Sequence, residues 1–114
     1  MGEREEVRIA GIERDDGLML RTHGLAAGGL PELRVVALPP YLGQGWAQVM
    51  GALAQRLAAG GKDVPEQLEL APGVTIQLKV ENGELVPLPP HGFEGSLDDW
   101  RRDVLTRLFP AAAT

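Results

Sequence analysis

Thr22, His23, Glu32 and Arg34 are the residues of this chain whose types could do chemistry together. A histidine that titrates near neutrality can act as a general base, with a carboxylate, hydroxyl or guanidinium nearby to orient it or hold a substrate oxygen. Residues 18–23 and 32–38 read as two extended runs joined by a glycine-rich turn. That arrangement would set His23 across a strand pair from Glu32 and Arg34. His23 and Glu32 are therefore the candidate catalytic residues, with Thr22 and Arg34 completing a pocket. A single histidine on a strand reads as readily as a surface or interface residue.

The other chemistry-bearing residues have local explanations. His91 sits in a proline-rich loop, and two isolated histidines do not make a zinc site. No cysteine is present, so disulfides, thiolate catalysis and cysteine-based metal sites are excluded. Asp15-Asp16 fits a turn and Asp98-Asp99 a helix start; neither follows a calcium-loop pattern. Ser96, the single serine, reads as a helix cap. Gly43-Gln44-Gly45 opens a helix as a dinucleotide loop would, but the third glycine would fall at position 48, which is Gln. Arg101, Arg102 and Arg107 read as a solvated face balanced by Asp98, Asp99 and Asp103. No cofactor and no metal is expected.

Composition narrows the partners. A net charge of −5 gives the chain no cationic footprint for a phosphate backbone, so nucleic acid is not expected. No apolar run approaches 18 residues, and none is expected to span a membrane. The charged start, Met1-Gly2-Glu3-Arg4-Glu5-Glu6, has no apolar signal core, which points to the cytoplasm. Arginine far outnumbers lysine, fitting a GC-rich bacterial genome. Scarce thermolabile residues and proline-rich loops also suit a thermophile.

The elements that position these residues follow from periodicity. Residues 5–12 alternate as a short strand, and 13–17 form a turn. In 18–23, Leu18, Leu20 and Thr22 share the core-facing side, while Met19, Arg21 and His23 share the other. Residues 24–31, with three glycines and a proline, read as a loop. In 32–38, Leu33, Val35 and Ala37 alternate against Arg34, Val36 and Leu38, as expected for a central strand. Pro39-Pro40 stops it.

Residues 40–59 read as a long helix, with Leu42, Trp46, Val49, Leu53 and Leu57 on one stripe and Met50 widening it. Gly60-Gly61 should end it in a left-handed cap. Residues 62–72 read as a linker with a short strand near 67–70. Val74, Ile76, Leu78 and Val80 mark one side of the cleanest strand, and Asn82-Gly83 signals a hairpin. Pro87, Pro89 and Pro90 confine the return strand to an edge. Ser96 and Asp99 then start a second helix with Leu97, Trp100, Val104 and Leu108 on one face. Residues 110–114 read as a frayed tail.

The prediction is one α+β domain spanning 1–114: a mostly antiparallel sheet of about five strands with two helices packed on one face, in the order βββαββα.

Thr22-x-Gly24-Leu25 followed by Gly29-Leu30-Pro31-Glu32-Leu33 resembles a motif of certain small bacterial domains of unknown function, in which an aromatic stands where this chain has Gly28. The resemblance implies that the turn from Gly24 to Glu32 matters for more than chain reversal. In physical terms, Gly24 and Gly29 would take unusual backbone angles, and Glu32 could accept N–H groups of the turn.

The long helix carries Gln44, Gln48 and Gln55 opposite its apolar stripe, with Arg56 its one charge. Surface helices ordinarily carry Glu and Lys there. Gln44, Gln48 and Gln55, with the small residues Ala47 and Ala54, are accordingly interface candidates. The leading expectation is a noncatalytic homodimeric interaction or regulatory module. The alternatives are a small enzyme or ligand-binding protein using Thr22, His23, Glu32 and Arg34, or an acidic inhibitor of a basic protein.

Overall fold

The computed structural model describes residues 7–60 and 63–109. Among the described residues, six strands form two antiparallel meanders, each followed by a helix: β1 (Arg8–Arg14), β2 (Gly17–His23), β3 (Arg34–Leu38), α1 (Gly43–Ala59), then β4 (Gln67–Ala71), β5 (Val74–Glu81), β6 (Glu84–Leu88), α2 (Leu97–Leu108). The class is α+β, as predicted. The expected single five-stranded sheet is replaced by two three-stranded sheets, β1-β2-β3 and β4-β5-β6. The order is βββαβββα, because the short run near 67–70 is a full sheet member paired with β5.

The sheets meet along β3 and β6. Leu33 and Leu85 form a parallel bridge, and the Leu85 N–H donates to the Glu32 carbonyl at 2.8 Å. β3 is therefore not the centre of a sheet; it is the edge of the first sheet, set against the proline-bearing edge of the second. Leu20, Leu33, Val35, Ile76 and Leu85 from the two sheets share one core with both helices.

β3 also departs from simple alternation. Leu20 faces Val35 but Leu18 faces Leu38, so β3 carries one extra residue, a β-bulge. Ala37 absorbs it in left-handed geometry, at φ 53°. The bulge turns Leu38 into the core and leaves Ala37 exposed, the reverse of the predicted faces. Gly17, at φ 133°, lies against this kink; a Cβ there would stand 2.9 Å from the Ala37 carbonyl carbon. The glycine of the β1–β2 turn is required by contact as well as by backbone angle.

The long helix forms over the expected stretch. It begins as a 3-10 turn at Pro40–Leu42, with Pro40 in its first positions, and continues as α1 for 17 residues. Leu42, Trp46, Val49, Met50, Leu53 and Leu57 are all buried. Gly60 ends it at φ −83°, so the predicted left-handed cap is not at Gly60; Gly61 lies outside the described residues. α1 packs on β1, β2 and β4, and α2 packs on β5 and α1.

Other local expectations divide. Asn82 and Gly83, at φ 51° and 80°, make the two-residue hairpin turn between β5 and β6. Val74, Ile76 and Leu78 are buried, but Val80 is 62% exposed because it falls beside that turn, past the core. Ser96 and Asp99 form the reciprocal capping box of α2. Leu97, at the first turn of α2, is exposed instead of sharing the apolar face of Trp100 and Val104. The tail 110–114 and the chain before Val7 lie outside the described residues. No helix is long and apolar enough to cross a membrane, among the described residues.

Candidate functional site

The Thr22-His23-Glu32-Arg34 group does not form one pocket. Strand alternation sends Thr22 inward and His23 outward, and His23 is exposed at the end of β2. Thr22 is fully buried. Its hydroxyl donates to Glu32 Oε1 at 2.7 Å and accepts the Leu33 N–H at 2.8 Å.

Glu32 is an organiser of the loop. Its Oε2 accepts the N–H groups of Gly24 and Ala26, each at 3.1 Å, and its Oε1 accepts Leu25 N–H at 3.2 Å. These donors lead into a 3-10 turn at Ala26–Gly28, which the sequence reading treats as plain loop. A carboxylate receiving four donors has little basicity left for catalysis. Burial alone would push the Glu32 carboxyl up. The hydrogen bonds from Thr22, Ala26, Gly24 and Leu25 outweigh it and hold the group below its ordinary value of 4.5.

That direction fixes a pH dependence. The unfolded chain takes up the proton first as acid is added, so stability contributed by Glu32 is complete above about 4.5. It is lost as pH falls through the lowered folded value. Asp99 shares the sign: the Ser96 backbone and side-chain bonds, helped by the nearby Arg102, outweigh an opposing effect of desolvation and hold it below its ordinary value. Urea unfolding midpoints should therefore fall between pH 5 and pH 3. The fall should be smaller in Glu32→Gln, with the Asp99 part remaining. A wild-type midpoint unchanged across that range would contradict both assignments.

Arg34 belongs to a different cluster. It lies 3.4 Å through Nε from Glu84 Oε1, and Arg21 Nε lies 2.5 Å from Glu84 Oε2. Glu84 has no signal in the local sequence pattern; it arrives only through the β3–β6 seam. Arg101 was equally hidden. Read as a solvated residue, it is 4% exposed, and its guanidinium donates to the Val36 carbonyl at 2.8 Å and the Ala37 carbonyl at 3.0 Å. These carbonyls belong to the bulge residues, which the β2 ladder leaves unpaired. Burial lowers the Arg101 pKa, with Asp98 at 3.4 Å opposing.

The interface candidates are placed unevenly. Gln44, Gln48 and Gln55 are exposed, Ala47 is half-buried, and Ala54 is 1% exposed within the chain's own core. Gln44 and Gln48 border a cleft of about 530 Å³ between α1 and α2, whose other walls include Tyr41, Leu105 and Phe109. Gly45 allows this approach, since a Cβ there would meet Leu105 at 2.7 Å. A second hollow of about 380 Å³ lies between the β4–β5 turn, the loop at His91 and α2. His91 is exposed there. Among the described residues, no group of three or more His, Cys, Asp or Glu could hold a metal ion.

Comparison with models of known families, with curated proteins and with solved structures finds no match to this chain.

Proposed function

We propose that this chain is a noncatalytic, cytoplasmic interaction module that works as a homodimer, its copies meeting across the α1–α2 cleft. The observation that carries the reading is the outward side of α1. Gln44 and Gln48 stand there uncharged beside Tyr41, which is 70% exposed, and they open on a cleft walled by Leu105 and Phe109. Over the whole chain 24% of residues are charged. Arg102 at the cleft rim is engaged by Asp99 of its own helix.

A second copy suits this surface. In a two-fold interface a residue near the axis meets its own copy, so a charge there would confront a like charge. Amides avoid that repulsion and can both donate and accept. The other support is negative for catalysis: Glu32 and Thr22 are occupied by each other and by the loop, with His23 on the opposite face.

Sedimentation velocity tests this. The wild type should sediment as a dimer at tens of micromolar. Gln48→Glu should weaken association by about tenfold or more, since 1.4 kcal/mol of added repulsion suffices for that factor. A wild type that stays monomeric at tens of micromolar overturns the proposal.

A further inference from the structure

We propose that Arg21 and Arg34, held in place by Glu84, form a binding site for a small oxyanion, a carboxylate or phosphate. The site stands apart from the dimer surface and does not depend on it.

Its construction begins with register. Arg21 and Arg34 are direct partners across the β2–β3 ladder. Their neighbours Leu20, Thr22, Leu33 and Val35 are buried, so alternation turns both arginines to the sheet face away from the core. Glu84 joins them on that face, one residue before the buried Leu85 that bridges to Leu33.

The charges do not balance. Two guanidiniums share one carboxylate, which leaves one positive charge in surplus. Glu81 stands opposite Glu84 across the hairpin but is already paired with Lys79, at 3.7 Å. The cluster of Arg21, Arg34, Lys79, Glu81 and Glu84 thus carries a net charge of about +1, on a chain whose total is −5.

The hydrogen bonds are incomplete as well. Both arginines approach Glu84 through Nε. Arg34 Nε is buried, yet its contact with Glu84 is too poorly aligned for a hydrogen bond, and it has no other partner among the described residues. No terminal guanidinium nitrogen of Arg21 or Arg34 bonds to an acceptor among the described residues. Glu84 is 15% exposed, against 25% for Arg34 and 40% for Arg21. The carboxylate therefore sits deeper than the arginines, and the open ends of both forks point to solvent. Paired forks suit a two-oxygen acceptor, planar or tetrahedral. A net charge near +1 at a half-open site gives an affinity on the order of millimolar, not tighter.

The test is a titration of the full chain with inorganic phosphate and, in a second arm, with acetate, each against chloride at equal ionic strength. Arginine Nε–H resonances report the contact. The Arg21 and Arg34 signals should move and saturate in the millimolar range. A response to phosphate alone assigns a tetrahedral ligand, and to acetate alone a carboxylate; either supports the site. Arg34→Gln should weaken binding by about tenfold or more. Arg21→Gln carries the same test if Arg34→Gln fails to fold. Absence of saturation in both arms, or saturation that survives loss of either arginine, overturns the proposal.

Discussion

Replacing Trp46 with alanine should lower the unfolding free energy by about 3–5 kcal/mol, the range for deleting a large buried ring. Trp46 is fully buried on the inner stripe of α1. Its ring lies 5.5 Å from that of Trp100, tilted by 54°, a geometry that favours the pair beyond simple burial. Its Nε1–H donates to the Arg101 carbonyl at 3.0 Å. One side chain thus ties the long helix to α2 by packing and by a hydrogen bond. Because small domains hold only about 5–15 kcal/mol in total, the alanine variant can leave too little stability to measure. Trp46→Phe keeps the experiment readable: it should cost less, about 1–3 kcal/mol, through lost volume and the lost N–H donor. Urea titration followed by far-ultraviolet circular dichroism gives both values without relying on tryptophan emission. A loss under about 1 kcal/mol for the alanine variant would mean that α1 and α2 are not locked at this point.

The same tryptophan shows which parts of the fold were legible in advance. Its stripe could be read because helix periodicity is local: Leu42, Trp46, Val49, Leu53 and Leu57 repeat at spacings of three and four, and all are buried. The Asn82-Gly83 turn and the Ser96–Asp99 capping box are equally local, and both formed where their residues indicated. Some errors are local, at the Gly60 cap and at Leu97, but the larger ones involve partners outside the local pattern. Nothing near Ala37 announces a bulge; it exists because β2 and β3 pair with one residue too many, and it reversed the faces of Ala37 and Leu38. Arg101 was unreadable for the same reason, since the carbonyls it binds lie 64 and 65 positions away. The β3–β6 seam divided the expected sheet into two, and its edge-to-edge bridge joins residues 52 apart in sequence.

The candidate site divides along the same line. Short range worked for Glu32, whose turn-capping role follows from a carboxylate placed eight residues after Gly24. It failed for His23 as a catalytic base, because side-chain direction on a strand separates His23 from Thr22 even though they adjoin in sequence. Glu84 could not be found at all from its own surroundings. The arginine cluster needed the seam before it could be seen.

Glu32→Ala should cost about 3 kcal/mol, because it removes four hydrogen bonds to a charged acceptor. Each such bond contributes roughly 1.5–3 kcal/mol singly, but they share two oxygens and cannot be added. What remains after truncation is the lasting penalty. The Thr22 hydroxyl is buried and loses its acceptor, while water can reach the exposed Ala26 N–H. Glu32→Gln should not restore stability. Each carboxylate oxygen accepts two donors, so an amide keeps at most one accepting pair and turns an NH₂ group toward the other two N–H or O–H donors. Thr22→Val isolates the inner arm: it deletes the hydroxyl that links Glu32 to the Leu33 N–H. The double variant should cost less than the sum of the singles by more than about 0.5 kcal/mol, the mark of two groups in one network. Urea unfolding of the wild type and the four variants decides the matter at pH 7. Were Glu32→Gln as stable as the wild type, charge would be irrelevant to the loop, and the carboxylate of Glu32 would be free for the chemistry its occupied lone pairs otherwise deny it.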